Sequence, residues 1–191
     1  MLYSYVVEHD YGLSPNPTGG FCTLAFCKFS RDGITPNIVE LARMGDWVVG
    51  TGGKSDTSAG HGRLVYAMRV TEKMTLRDYF RDPRFARRGG NVHEWSDEAD
   101  MFALVSDHFS YFGAGAPRFA QRHLDHPIEK RGPRHRSRFS EEFIDDFVCW
   151  LEGRYTVGVH GRPCVEHPDC DSFDEMRPRR PCPPRRQPSR C

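Results

Sequence analysis

The stretch Gly45–Gly53 reads GDWVVGTGG, an apolar group of Trp47, Val48 and Val49 followed by glycines at 50, 52 and 53. Aromatic and β-branched residues favour strands, and glycine is the strongest local punctuation. A short strand over Asp46–Val49, stopped by Gly50, is therefore expected. The next segment, Arg63–Thr71 (RLVYAMRVT), places Leu64, Tyr66, Met68 and Val70 at every second position, which predicts a strand with those four on one face. A strand, a glycine-rich turn and a second strand form the centre from which the rest is read.

Upstream, Leu2–Val7 is rich in Tyr and Val and predicts a first strand. His9–Gly20 (HDYGLSPNPTGG) follows as a long loop, and Phe21–Phe29 is a second strand candidate. A short helix or turn is expected in Thr35–Met44, with Pro36 in its first turn. Downstream, Thr75 suits the N-cap of a helix over Leu76–Arg81, ended by Pro83. Phe102–Phe112 predicts two strands broken near Ser106–Asp107, closed by Gly113–Gly115. Ser140 caps a helix over Glu141–Glu152, whose Phe143, Phe147, Trp150 and Leu151 fall on one stripe, and Gly153 stops it. About five strands with a few short helices predict an α+β domain with a small mixed or antiparallel sheet, or a barrel, rather than a doubly wound sheet.

The domain is expected over residues 1–165, with 166–191 an Arg/Pro-rich, disordered tail. The chain of 191 residues is long enough to bury its own core. Its net charge of +1 gives no global argument for nucleic acid, but the distribution is uneven. Ala114–Phe139 holds Arg118, Arg122, Lys130, Arg131, Arg134, Arg136 and Arg138 against Asp125 and Glu129, and Arg177–Cys191 holds six arginines and no acid. No leader or membrane-spanning pattern is present, so a cytoplasmic location with reduced thiols is expected for the seven cysteines.

Gly50–Ser55 (GTGGKS) invites a triphosphate-loop reading, but that pattern needs its first glycine where Val48 stands, and no long helix pattern follows. A single phosphate held by backbone N–H groups and Lys54 is the weaker form that survives. Cys164, His167 and Cys170 have zinc-ligand chemistry at spacings unlike any standard finger, the alternative being loose terminal thiols. Cys22 and Cys27, five apart in an expected strand, should face opposite ways as core thiols. His9, Asp10 and Asn16 lie on the loop after the first strand, where polar residues either bind ligands or make turns. His93 beside Glu94 is an acid–base candidate, as is Asp10. The arginines of 118–138 alternate with Phe119, His123, His126 and Phe139, a pattern that tracks a nucleic-acid backbone or makes a solvated basic loop. No cofactor motif is recognised.

Several blocks, in order, resemble the second nucleotide modification associated domain of bacteria and phages. They are Tyr3-Ser4-Tyr5-Val6-Val7, Asp10-Tyr11-Gly12, Pro15-Asn16-Pro17 and Cys22-Thr23-Leu24-Ala25 with Cys27-Lys28. Gly45–Gly52 with Leu64–Lys73, then Asp82-Pro83-Arg84-Phe85 and Val105–Gly113, complete the match over about residues 1–115. Family members carry a longer segment where this chain has Ala86–Met101, which keeps Asn91, His93 and Trp95. The resemblance implies a role in modifying nucleic-acid bases and, by analogy of fold, a PUA-like barrel with a base cleft. It implies a nucleotide or base held by His9, Asp10, Asn16, Thr51 and Lys54. Arg118, Arg122, Lys130, Arg131, Arg134 and Arg136 would then lie on the phosphates. The alternatives are an enzyme using Asp10 or His93, and an interaction module with a zinc-bearing tail.

Overall fold

The computed structural model describes residues 1–25, 27–28, 30, 34–85, 101–119, 127–130 and 134–165. The strands are β1 (Leu2–Val7), β2 (Cys22–Leu24), β3 (Trp47–Gly52), β4 (Leu64–Arg69), β5 (Glu72–Thr75), β6 (Phe102–Ser106), β7 (His108–Tyr111), β8 (His135–Arg136) and β9 (Gly158–Val159). The helices are α1 (Ile38–Leu41), α2 (Leu76–Arg81) and α3 (Glu141–Glu152). Six strands form one mixed sheet in the order β8-β1-β3-β4-β7-β9, and three form an antiparallel sheet in the order β2-β6-β5. This is the expected α+β class with a mixed sheet. The two sheets stack, and among the described residues neither closes into a barrel.

Strand alternation sorts the core into layers. One face of the large sheet offers Leu2, Trp47, Val49 and Ala67 to Phe143, Phe147 and Leu151 of α3. The opposite face offers Tyr5, Val7, Val48, Tyr66, Met68 and Tyr111 to Cys22, Leu24 and Leu104 of the small sheet. The outer face of the small sheet packs Ala103 and Val105 against Leu76 and Tyr79 of α2. The fold is thus α3, large sheet, small sheet, α2. Helix α3 forms where its apolar stripe predicts it, with the Ser140 hydroxyl accepting from the Phe143 N–H and Gly153 at its end. Full burial of a side chain such as Phe147 contributes about 1.5–3 kcal/mol.

The glycines after Val49 do not end the strand. β3 runs on through Gly50 and Thr51 to Gly52, with a bulge between Gly50 and Thr51. The glycines permit close approach instead: a Cβ on Gly50 would strike Tyr66 and would lie 2.6 Å from a Val7 methyl, and one on Gly52 would strike the Gly60 carbonyl. The bulge also breaks the expected four-residue face of β4. Leu64 turns to the α3 side while Tyr66, Met68 and Val70 face the small sheet. The second strand is shorter than expected and ends at Leu24, so Cys27 lies outside its alternation and packs against the same core as Cys22 instead of facing the opposite way. The short helix begins at Ile38 rather than Pro36, with Asn37 and Glu40 forming a capping box. The 166–191 tail and the 86–100 segment lie outside the described residues.

Candidate functional site

β1 and β3 are parallel neighbours, Val7 opposite Gly52, so the loops that follow them leave at the same end of the sheet. Hydrogen bonds then join the two loops. The Ser58 hydroxyl donates to the Val7 carbonyl at 2.6 Å, the Ser55 N–H to a Glu8 carboxylate oxygen at 3.1 Å, and the Asp10 N–H to the Thr57 carbonyl at 3.0 Å. His9 Nδ1 lies 2.6 Å from the Thr57 hydroxyl. The rings of His9 and Tyr11 stack with centroids 6.1 Å apart and planes 17° from parallel, and both residues are exposed.

Between these two residues in the sequence, Asp10 turns inward and keeps only 1% of its surface. Oδ1 accepts from the Tyr111 hydroxyl at 2.7 Å and the Gly12 N–H at 3.4 Å, and Oδ2 accepts from the Cys164 N–H at 3.2 Å. The Asp10 carbonyl accepts from the Val165 N–H at 3.1 Å. One residue therefore ties the β1 loop to β7 and to the segment after β9. Burial raises the Asp10 pKa above the ordinary carboxylate range, and the donated bonds pull part of that back. Burial and the carboxylate together raise the Tyr111 phenol well above its usual value, and the Cys164 thiol is pushed up to about 12 by burial first and by Asp10 second.

Beneath Asp10 the polar groups continue into the core. The Tyr66 hydroxyl donates to the Tyr5 hydroxyl at 3.0 Å, and burial holds both phenols protonated. Cys27 Sγ lies 2.9 Å from the Ser14 hydroxyl, which also lies 2.8 Å from the Ala25 carbonyl. The Lys28 ammonium sits 4.3 Å above the Tyr5 ring. No buried side-chain nitrogen or oxygen among the described residues lacks a partner.

A family profile described as nucleotide modification associated domain 2 matches residues 1–97 and 90–168. The chain belongs to that family. Nothing among curated proteins and nothing among solved structures matches it. The two stretches of the match meet at 90–97, inside the segment where the sequence resemblance puts a shortened insertion.

Within this member of the nucleotide modification associated domain 2 family, the sequence candidates fall in different places. His9 and Lys54 are exposed on the two joined loops. Arg118 Nη1 comes within 3.6 Å of the space beside the Gly62 Cα, at the end of the second loop. Thr51 is buried in β3 and donates to the Tyr5 carbonyl at 3.2 Å. Asn16 pairs with Thr23 as an isolated bridge, and its Oδ1 accepts from the Thr18 N–H and hydroxyl. Lys130, Arg134 and Arg136 lie along the β8 edge, where Lys130 and Arg134 help burial lower the His135 pKa. Arg136 donates to the Pro127 carbonyl at 2.8 Å and covers the Phe139 ring. His93, Arg122, Arg131, His167 and Cys170 lie outside the described residues. Cys164 packs against Asp10, and the described residues contain no cluster of three His, Cys, Asp or Glu fit for a metal.

The turn after β3 uses its own N–H groups. Gly53 donates to the Ser58 hydroxyl, Ser55 to Glu8, Thr57 to the Ser55 hydroxyl and Ser58 to the Ser55 carbonyl. The Glu8 carboxylate thus takes part of the place expected for a phosphate. Sequence reasoning missed Tyr11, Glu8, Thr57 and Tyr111. Tyr111 is 101 residues from Asp10, and no local pattern signals that contact. No helix among the described residues is long and apolar enough to cross a membrane.

Proposed function

We propose that the protein binds a nucleotide base, free or turned out of a strand, at the joined loops of β1 and β3, as one step in nucleotide modification. The observation that carries this reading is the exposed, stacked His9–Tyr11 pair flanking a buried anchor. An exposed stacked pair fixed from below by an interior carboxylate presents an ordered ring face on which a base can stack. Stacking of a base on such a ring contributes about 1–3 kcal/mol and tolerates different bases. Lys54 and Arg118, on and beside the second loop, supply positive charge for the attached phosphate. Asp10 acts here as a positioning residue, because its oxygens are already taken by Tyr111, Gly12 and Cys164.

Titration of the full chain with nucleosides and nucleoside monophosphates tests this. His9→Ala and Tyr11→Ala should each weaken binding by roughly 5–150-fold, the equivalent of about 1–3 kcal/mol. Equal affinity for wild type and both variants would overturn the assignment.

A further inference from the structure

On one side the large sheet ends at β8, which pairs antiparallel with β1, Ser4 opposite Arg136 and Tyr5 opposite His135. That register carries Arg134 to the level of Val6, just before the loop with His9 and Tyr11 leaves the sheet. With about 3.3 Å per residue along β1 and about 4.8 Å between strands, the Arg134 backbone stands about 11 Å from that of His9. The segment before β8 crosses to the same end of the sheet. The Ser4 hydroxyl donates to the Ile128 carbonyl and Arg136 donates to the Pro127 carbonyl at 2.8 Å, which stitches 127–130 to both strands. Arg118 Nη1 and the Glu129 carboxyl carbon each lie 3.6 Å from the point that a Cβ on Gly62 would occupy. The Gly62 N–H in turn donates to the Gly52 carbonyl at 3.2 Å. Arg118, Lys130 and Arg134 therefore run from the end of the second loop to the β8 edge.

Arg134 is exposed, and its backbone stands at φ 70°, in the left-handed region. Glycine adopts that conformation without strain, whereas a residue with a side chain strains the fold there. Its neighbour His135 turns inward instead, with Nδ1 3.3 Å from Asn37 Oδ1 and its ring in edge contact with Tyr3, centroids 5.6 Å apart. Lys130 and Arg134 stand near enough to His135 to join burial in lowering its pKa, so the two cations share one patch. Charge on an edge strand also discourages pairing with another chain. That task is served by a charge anywhere along the edge, and it gives no reason to keep an arginine where glycine would fit better.

We propose that Arg118, Lys130 and Arg134 form a phosphate track. A single strand of nucleic acid whose base stacks at His9 and Tyr11 runs back alongside β1 to the β8 edge, so the ligand is a polynucleotide rather than a free nucleotide. This rests on the base-binding reading above. Aromatic rings for the bases beside a row of cations for the backbone hold single strands with little regard to sequence. Each neutralised phosphate releases counterions. The track thus has a signature that a base pocket lacks: affinity that grows with strand length and falls steeply with salt.

The test compares the full-length wild type with a full-length variant carrying Lys130→Gln and Arg134→Gly together. A control carries Arg77→Gln and Arg81→Gln, which remove the same charge from the exposed side of α2, on the far side of the small sheet. The probes are a nucleoside monophosphate and a single strand of about twenty nucleotides. Wild type should bind the strand more tightly than the monophosphate, and its logarithmic salt slope should exceed that of the edge variant by about 1.4, two phosphates at about 0.7 each. The edge variant should melt close to wild type, since glycine suits φ 70°. If it melts far lower, Lys130→Gln alone should still reduce the slope by about 0.7. At 0.15 M salt, where screening acts over about 8 Å, monophosphate affinity should be the same in all these proteins. An unchanged strand affinity and slope in the edge variant overturns the track, and leaves the base site standing if His9→Ala still weakens the monophosphate. An equal loss in the α2 control shows attraction by overall charge, which also overturns it. Strand binding that depends on the edge but is indifferent to His9→Ala separates the edge from the base site and overturns the track equally. Failure of wild type to bind either probe overturns both readings.

Discussion

Two side chains each gather three segments of this molecule, one in its interior and one at its surface. Asp10 joins the β1 loop, β7 and the chain after β9 through neutral donors, shielded from water. Arg84 joins the turn after α2 to β5 through paired bonds to Glu72 at 2.7 and 2.8 Å and to Asp82 at 2.7–3.1 Å. Its guanidinium also covers the rings of Phe85 and Phe21, yet its side chain remains 37% exposed. The two knots shift their carboxylates in opposite directions. Burial raises Asp10, whereas hydrogen bonds from Arg84 lower Glu72 and Asp82. A buried hydrogen-bond knot is expensive to break because its partners are left unpaired away from water, while an exposed ion pair is replaced by solvent at little cost. The expensive knot adjoins the His9–Tyr11 pair, an arrangement the proposed base-binding reading would use to keep that surface in shape.

The largest expected effect comes from cutting each knot. Asp10→Ala strands the Tyr111 hydroxyl and the Cys164 N–H in the interior and should lower unfolding stability by about 2–4 kcal/mol. Arg84→Met, which keeps the apolar stem against Phe85 and Phe21, should cost no more than about 1 kcal/mol. Urea denaturation of both variants measures the difference. Equal losses would break the comparison.

Acidity should separate the knots by sign. Asp10 has a raised pKa in the folded state, so its contribution is fully present below the unfolded carboxylate value of about 3.9 and is lost as pH rises through the folded value. Glu72 and Asp82 have lowered values, so theirs is present above about 4 and is lost as pH falls through the folded values. Melting curves across that range should show Asp10→Asn removing a loss that wild type suffers on the alkaline side. Arg84→Met should remove a loss on the acid side. Tyr111→Phe takes away a donor that lowers Asp10, and should move the first transition to higher pH. A shift to lower pH would show that the Tyr111 hydroxyl does not favour the Asp10 carboxylate.

Much of the architecture was legible because it follows from local chemistry. Ser140, the α3 stripe, and the Thr75 cap of α2 depend on neighbours a few residues away, and all stand as the sequence predicts. The bulge at Gly50–Thr51 was not legible, because glycine is as suited to a turn as to close packing, and only Tyr66 and Val7 decide between them. The short strands β5, β8 and β9 have no periodicity of their own and exist through their partners. At the site, the polar loop after β1 announced His9 and Asp10, but their roles divided on burial. His9 stays outside on its stack with Tyr11, and Asp10 is drawn in by a tyrosine far along the chain.

The smallest expected effect lies at Glu8, where a surface bond sits beside the platform. Its carboxylate accepts from the Ser55 N–H, and a Cβ on Gly53 would meet the same carboxylate. Glu8→Gln keeps an oxygen for Ser55 and removes only the charge, so stability should change by less than about 0.5 kcal/mol. The charge itself opposes any phosphate brought to Lys54 and Arg118. Removing it should strengthen binding of a nucleoside monophosphate a few-fold at low salt, and the gain should shrink as salt screens the site over about 10 Å at 0.1 M. The uncharged nucleoside should bind wild type and Glu8→Gln alike. If Glu8→Gln strengthens both equally, Glu8 acts on the base or on the loop rather than on the phosphate. If it weakens both, the bond to Ser55 needs its full charge, and the surface knot beside the platform is nearer in cost to the buried one beneath it.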